Sequence, residues 1–163
     1  MANQGETSAP KPNPPQYHLQ ASVDDKGRLN TPAAAIAYFE ATGITDFFCT
    51  SLDERMALIY PKEVWARNLE IIERAREHSA AAKRTAFRAR AYGGEVSLDK
   101  AGRILLPANL RAVIDLEKQP VWLDFHNGAV RVMTKPVYEV EMQNAKAHAA
   151  DDQAAMESLG FVG

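Results

Sequence analysis

A block of eleven residues occurs twice in this chain, and the repetition constrains the fold more than any other feature. Val23-Asp24-Asp25-Lys26-Gly27-Arg28-Leu29-Asn30-Thr31-Pro32-Ala33 aligns with Leu98-Asp99-Lys100-Ala101-Gly102-Arg103-Ile104-Leu105-Leu106-Pro107-Ala108 at an offset of 75, without a gap. At an offset of 73, Ile59, Lys62, Val64 and Trp65 fall on Val132, Lys135, Val137 and Tyr138. Self-similarity at a fixed spacing means one structural unit used twice. A unit of about 50 residues is too small to bury a good core alone. Two of them can satisfy each other's sheet edges and apolar faces. The expected architecture is therefore α+β and rich in β-structure, with two tandem units related by a pseudo-two-fold axis.

Local patterns fill in each unit. Residues 1–16 hold four of the nine prolines and no apolar periodicity, which predicts a disordered leader. The alternation in YHLQASV (17–23) predicts a half-buried strand, and DDKG a turn in which Gly27 is free to take positive φ. Pro32 opens a helix that Gly43 stops. TDFFCTSL and MALIYP read as two short strands joined by a polar turn at Asp53–Arg55, and KEVWARNLEIIERAREHS as a helix closing the unit. SAAAKRTAFRARAYGG reads as a further helix, before a second round of strand, turn, strand and helix. PVWLDFHNGAVRVMT predicts a hairpin turning at Asn127–Gly128. The expected boundaries are a first unit at 17–79, a second at 80–140, and a polar C-terminal helix or tail at 141–163. Trp65, Leu69, Ile72 and Phe87 are expected in the core or at a subunit interface.

Charge and composition narrow the function. A single cysteine, Cys49, excludes an internal disulfide and a thiolate zinc cluster, and its mid-strand place suits a buried structural thiol. The four histidines lack metal-ligand spacing, and there is no glycine-rich phosphate loop or nucleophile motif, so no enzyme, metal, cofactor or small-molecule substrate is expected. No apolar run is long enough to span a bilayer and the N-terminus is not signal-like, so a cytoplasmic protein without a membrane partner is expected. The net charge of −2 conceals segregation. Residues 61–111 carry 11 basic and 6 acidic groups, whereas residues 112–163 carry 4 and 8. Screening confines each field to about 8–10 Å, so a basic middle permits a local phosphate-binding face. The linker arginines and lysine (Arg74, Arg76, Lys83, Arg84, Arg88, Arg90) fit either that face or a solvated one.

The two D-x-x-G-R turns are the candidate site. Gly27 and Gly102 allow a tight reversal, and Asp24 and Asp99 can accept hydrogen bonds from turn amides or orient the arginine. Arg28 and Arg103 carry planar forks of donors suited to guanine O6 and N7 or to phosphate, with Lys26 a point charge beside Arg28. The residues alone leave two readings open. Asp and Arg four apart can form an ion pair that merely fixes the hairpin, or the arginine can reach a ligand.

DDKGRLNTP and DKAGRILLPANLR, with LIYPKEVW and a helical linker between them, resemble the MraZ family of bacterial regulators. The resemblance spans about Tyr17 to Tyr138. It implies two AbrB-like swapped-hairpin units forming a barrel-like β core flanked by helices. It further implies double-stranded DNA as partner, with Arg28 and Arg103 reading bases and Lys26 and Lys100 meeting the backbone. Asp24, Gly27, Asp99 and Gly102 then position the loops. Closed homo-oligomeric rings, octamers or dodecamers, are the family expectation. So are nucleoid association and repression of a cell-division and cell-wall gene cluster through short G-rich direct repeats. This chain departs from the family pattern in its proline-rich leader, in Asn30-Thr31 before Pro32, and in DFHN at Asp124–Asn127. Two alternatives stay open: an antitoxin-like protein-binding module, and a ring-forming homologue without DNA binding.

Overall fold

A computed structural model describes residues 12–163 of the chain. Residues 1–11 of the leader lie outside the described residues, and residues 12–16 form no regular element. The first half runs β1 (Leu19–Val23), β2 (Arg28–Asn30), α1 (Ala33–Thr42), β3 (Asp46–Thr50), β4 (Ala57–Pro61) and α2 (Lys62–Ala75). The second runs α3 (Ala80–Tyr92), β5 (Gly94–Ser97), β6 (Arg103–Leu105), α4 (Ala108–Val113), β7 (Gln119–His126), β8 (Ala129–Thr134), α5 (Lys135–Lys146) and α6 (Ala149–Ser158). Gly43 stops α1 at φ 71°, and Asn127 and Gly128 take φ 50° and 80°, the doubly left-handed turn that matches hairpin twist.

The eight strands make one antiparallel sheet in the order β5-β3-β4-β8-β7-β1-β2-β6. A bridge between Leu98 and Ile104 links its two outer strands and nearly closes it into a barrel. The order shows the swap. Strand β1 pairs with β7 of the other half, and β5 of the second half pairs with β3 of the first. Repeat-equivalent strands meet at two places. Leu29 pairs with Ile104 in β2–β6, and Leu58 with Arg131 in β4–β8. A residue can face its own repeat partner across an antiparallel ladder only where a local two-fold axis passes, so the axis runs through both pairs. The fold is thus α+β and β-rich, two swapped-hairpin repeats around a common barrel flanked by helices.

The core fills the barrel. Leu29, Ile104, Leu123 and Ile59 are each 1% exposed, and Leu106, Leu110, Val121 and Val132 are fully buried. Each half also seals a helix onto its hairpin with the same aromatic stack. Phe48 lies on Trp65 with centroids 4.5 Å apart, and Trp122 on Tyr138 at 4.9 Å. Such pairs add about 0.5–1.5 kcal/mol beyond area burial.

Some elements differ from the sequence expectation. ANLRAVIDL reads as helical to its end, but the second post-turn helix stops at Val113, because Ile114 leaves helical geometry to enter the core. Helix α5 runs without a break from Lys135 to Lys146, with Pro136 in its first turn. Trp65 and Ile72 are buried, but Leu69 is only half covered and Phe87 is 73% exposed, so a place in this chain's own core does not account for Phe87.

Candidate nucleic-acid interface

Both arginine turns are built from one set of bonds. In the first, the Asp24 Oδ1 accepts from the backbone N–H of Lys26 (3.0 Å) and of Arg28 (2.9 Å). In the second, Asp99 Oδ1 accepts from Ala101 (2.9 Å) and Arg103 (2.8 Å). The other carboxylate oxygen takes the arginine Nε–H, at 2.8 Å in Asp24–Arg28 and 3.1 Å in Asp99–Arg103. The backbone closes identically, Asp24 N–H to Arg28 C=O and Asp99 N–H to Arg103 C=O, both 2.9 Å. Gly27 and Gly102 sit at φ 79° and 76°, which a side chain would strain.

The intraturn ion pair is therefore present in both halves, and it has a particular form. It uses Nε and leaves the two terminal nitrogens of each guanidinium without a hydrogen-bond partner among the described residues. An aspartate held this way orients the arginine fork; it does not consume it. The Arg28 backbone N–H is the main reason the Asp24 carboxyl titrates below its ordinary range, with the Arg28 guanidinium and Lys26 N–H adding to it against some desolvation. Asp99 is lowered by the same bonds, led by the Arg103 N–H.

The two arginines share a surface. Leu29 and Ile104 point into the barrel, so Arg28 and Asn30 on β2 and Arg103 and Leu105 on β6 lie on its outer face. Arg28 stands opposite Leu105 and Asn30 opposite Arg103, which makes the arginines diagonal neighbours, about 7–8 Å apart at Cα. Lys26 and Lys100 are exposed at the turns. The turns are cross-braced over the axis: Leu106 N–H donates to Gly27 C=O (3.0 Å) and Thr31 N–H to Gly102 C=O (3.1 Å).

Sequence reasoning missed three members of this surface. Asn30 and Leu105 are repeat equivalents on the outer face, and Asn30 Nδ2 donates to Ser22 Oγ at 3.1 Å. Period-two alternation from Arg28 would have placed both. Arg111 is the third. Its guanidinium lies under Gly27, with Cδ 2.3 Å from where a Cβ would stand, while Ile36 lies likewise under Gly102 at 2.5 Å. Arg111 is held by its Nε bond to Leu106 C=O (2.9 Å) and by Glu117. Nothing local signals this, because the contact crosses the axis.

Elsewhere, His18 Nδ1 meets Tyr138 Oη at 2.9 Å and its Nε2 lies 3.6 Å from Asp124 Oδ1. That carboxylate is already engaged by Arg131. Cys49 is fully buried on β3, and burial pushes its thiol up. Among the described residues no group of three or more His, Cys, Asp or Glu side chains is placed to hold a metal ion, and no helix is long and apolar enough to cross a membrane.

Comparison with known proteins agrees with this architecture. A family model described as "MraZ protein, putative antitoxin-like" matches residues 92–127, a span holding the second arginine turn. A protein named transcriptional regulator MraZ from Acidobacterium capsulatum is 30% identical over 83% of this chain and 92% of its own length. One of the same name from Desulforamulus reducens is 32% identical over 84% and 92%, and one from Heliobacterium modesticaldum 37% over 63% and 68%. Fold, turns and relatives together define the class, a transcriptional regulator and not an enzyme. The chain belongs to the MraZ family.

Proposed function

We propose that this protein binds double-stranded DNA with the outer face of the β2–β6 ribbon. Arg28 and Arg103 read base edges, Lys26 and Lys100 meet phosphates, and Asp24, Gly27, Asp99 and Gly102 hold the turns. The observation that carries the reading is the identical Nε tether in both turns, which fixes two guanidinium forks and leaves their terminal nitrogens available. A major groove admits a two-stranded ribbon, and a spacing of about 7–8 Å corresponds to about two base steps. The first turn is neutral, Asp24, Asp25, Lys26 and Arg28 cancelling, and the second is net +1 from Asp99, Lys100 and Arg103, so one subunit binds weakly. Repetition supplies the remainder: a homo-oligomeric ring, octamer or dodecamer, engages several short G-rich direct repeats at once. The proposed repeat units are 17–79 and 80–140, with α5 carrying the second into the C-terminal segment, and repression of the cell-division and cell-wall gene cluster in the cytoplasm, at the nucleoid, is the output.

Selection of preferred DNA from a random pool by the purified protein tests the reading. Enrichment of G-containing repeats, lost in Arg28→Ala and Arg103→Ala with the oligomer intact, supports it. A pool that stays random after selection would leave an assembly without a DNA ligand.

A further inference from the structure

Two helices at opposite ends of the second half have unusual surfaces that the function above does not use. Helix α6 has no buried residue, and every position from Gln143 to Gly163 is exposed. A ten-residue helix without a packing surface is marginal in water, where roughly 12–15 residues are needed even for good formers. It carries Asp151, Asp152 and Glu157 and no base. Gly160, at φ 97°, then reverses the chain, and Phe161 N–H donates back to Met156 C=O at 3.1 Å. Met156, Leu159 and Phe161 are all exposed at this end of the chain, Leu159 by 80%.

Helix α3 is the complement. It carries Lys83, Arg84, Arg88 and Arg90 and no acid. Ala89 faces inward, while Lys83, Arg84, Phe87 and Arg90 recur at helical spacing on the outer side. Phe87 lies in the middle of that cationic face with nothing over it. A large aromatic ringed by charge on a free surface marks an interaction site.

We infer that α6 of one copy seats on the outer face of α3 of the next. Met156, Leu159 and Phe161 close over Phe87, and Asp151, Asp152 and Glu157 meet Lys83, Arg84 and Arg90. The occupant is a second copy because sign and apolarity match face to face, and both faces are uncovered among the described residues. The contact joins unlike surfaces, so it propagates from copy to copy and closes only by rotation. This docking rests on the ring reading proposed above and specifies one joint of it.

Sedimentation velocity on the full-length protein across concentration tests the joint. Phe87→Asp and Leu159→Asp are each expected to raise the dissociation midpoint at least about tenfold. Charge reversal on one side (Lys83→Glu with Arg84→Glu) or the other (Asp151→Lys with Asp152→Lys) weakens assembly, and combining all four restores it. An oligomer indifferent to every variant overturns the docking and leaves the ring standing, as does a combined reversal that fails to restore. A wild type that is monomeric throughout overturns both. Variants that keep their size but lose DNA in a mobility shift make α3 a phosphate-contacting face and refute the joint.

Discussion

The two arginine turns share every hydrogen bond and differ in what lies beneath them. Gly102 rests on the flexible end of Ile36, whereas Gly27 rests on the guanidinium of Arg111, itself tied to Leu106 and Glu117. Ile36 and Arg111 are repeat equivalents at the offset of 75. Each lies under the turn of the opposite half, because the swap places each post-turn helix across the axis. Main-chain geometry in this fold is set by the repeat, while the floor beneath each turn is free to differ. The first turn is the more rigidly supported and has a third cation close by.

The largest test of that contrast is a methyl group at each glycine. Gly27→Ala is expected to cost about 3 kcal/mol in urea unfolding, combining positive-φ strain with displacement of an anchored side chain. Gly102→Ala, over a yielding Ile36, is expected to cost only about 1–2 kcal/mol; equal losses would erase the distinction. Next, Arg28→Ala and Arg103→Ala should each weaken DNA binding by about 2 kcal/mol without unfolding the protein, and titration against one operator shows whether the better-braced Arg28 contributes more. A double-mutant cycle sharpens the cause. Arg111→Ala placed on Gly27→Ala should recover about 1 kcal/mol of the predicted loss, and additive effects would exonerate Arg111.

Smaller effects follow. Lys26→Ala and Lys100→Ala should each flatten the salt dependence of binding by about one phosphate contact, read from mobility shifts over a range of salt. Lowering pH probes both turns together. The Asp24 and Asp99 carboxyls titrate below their ordinary range, so their stabilisation is complete above that range and is lost as pH falls through the depressed folded values. The amide resonances of Lys26 and Ala101 should shift together in that acidic window. If they move apart, the two turns are not electrostatic equals.

Much of this was legible in the residues. The offset of 75 located both turns, Gly43 ended α1, and Asn127–Gly128 fixed the last hairpin. The aspartate bonds followed from Asp and Arg four apart, although spacing alone left open whether the ion pair would use up the guanidinium. It engages Nε only, a matter of side-chain direction that sequence does not encode locally. Contacts across the axis were illegible for the same reason: Arg111 and Gly27 are far apart in the chain and meet only once β1 has crossed to β7. The intermediate register was hidden too. Phe47 and Val121, which face Val96 and Ala21, differ by 74, a step that no matching residue letters mark. Phe87 was placed by its apolarity, which cannot say whose surface covers it.

The exchange of β1 and β5 between halves also has a consequence for biosynthesis. When the first half leaves the ribosome, β1 has only the three-residue β2 for company, and its main partner, Gln119–His126, has not yet been made. The nascent N-terminal half therefore waits with an open, sticky edge until β7 of the second half has been made. Folding of such a chain is late and all at once, and a stalled or truncated product is a substrate for chaperones and proteases, with no half-sized regulator to release.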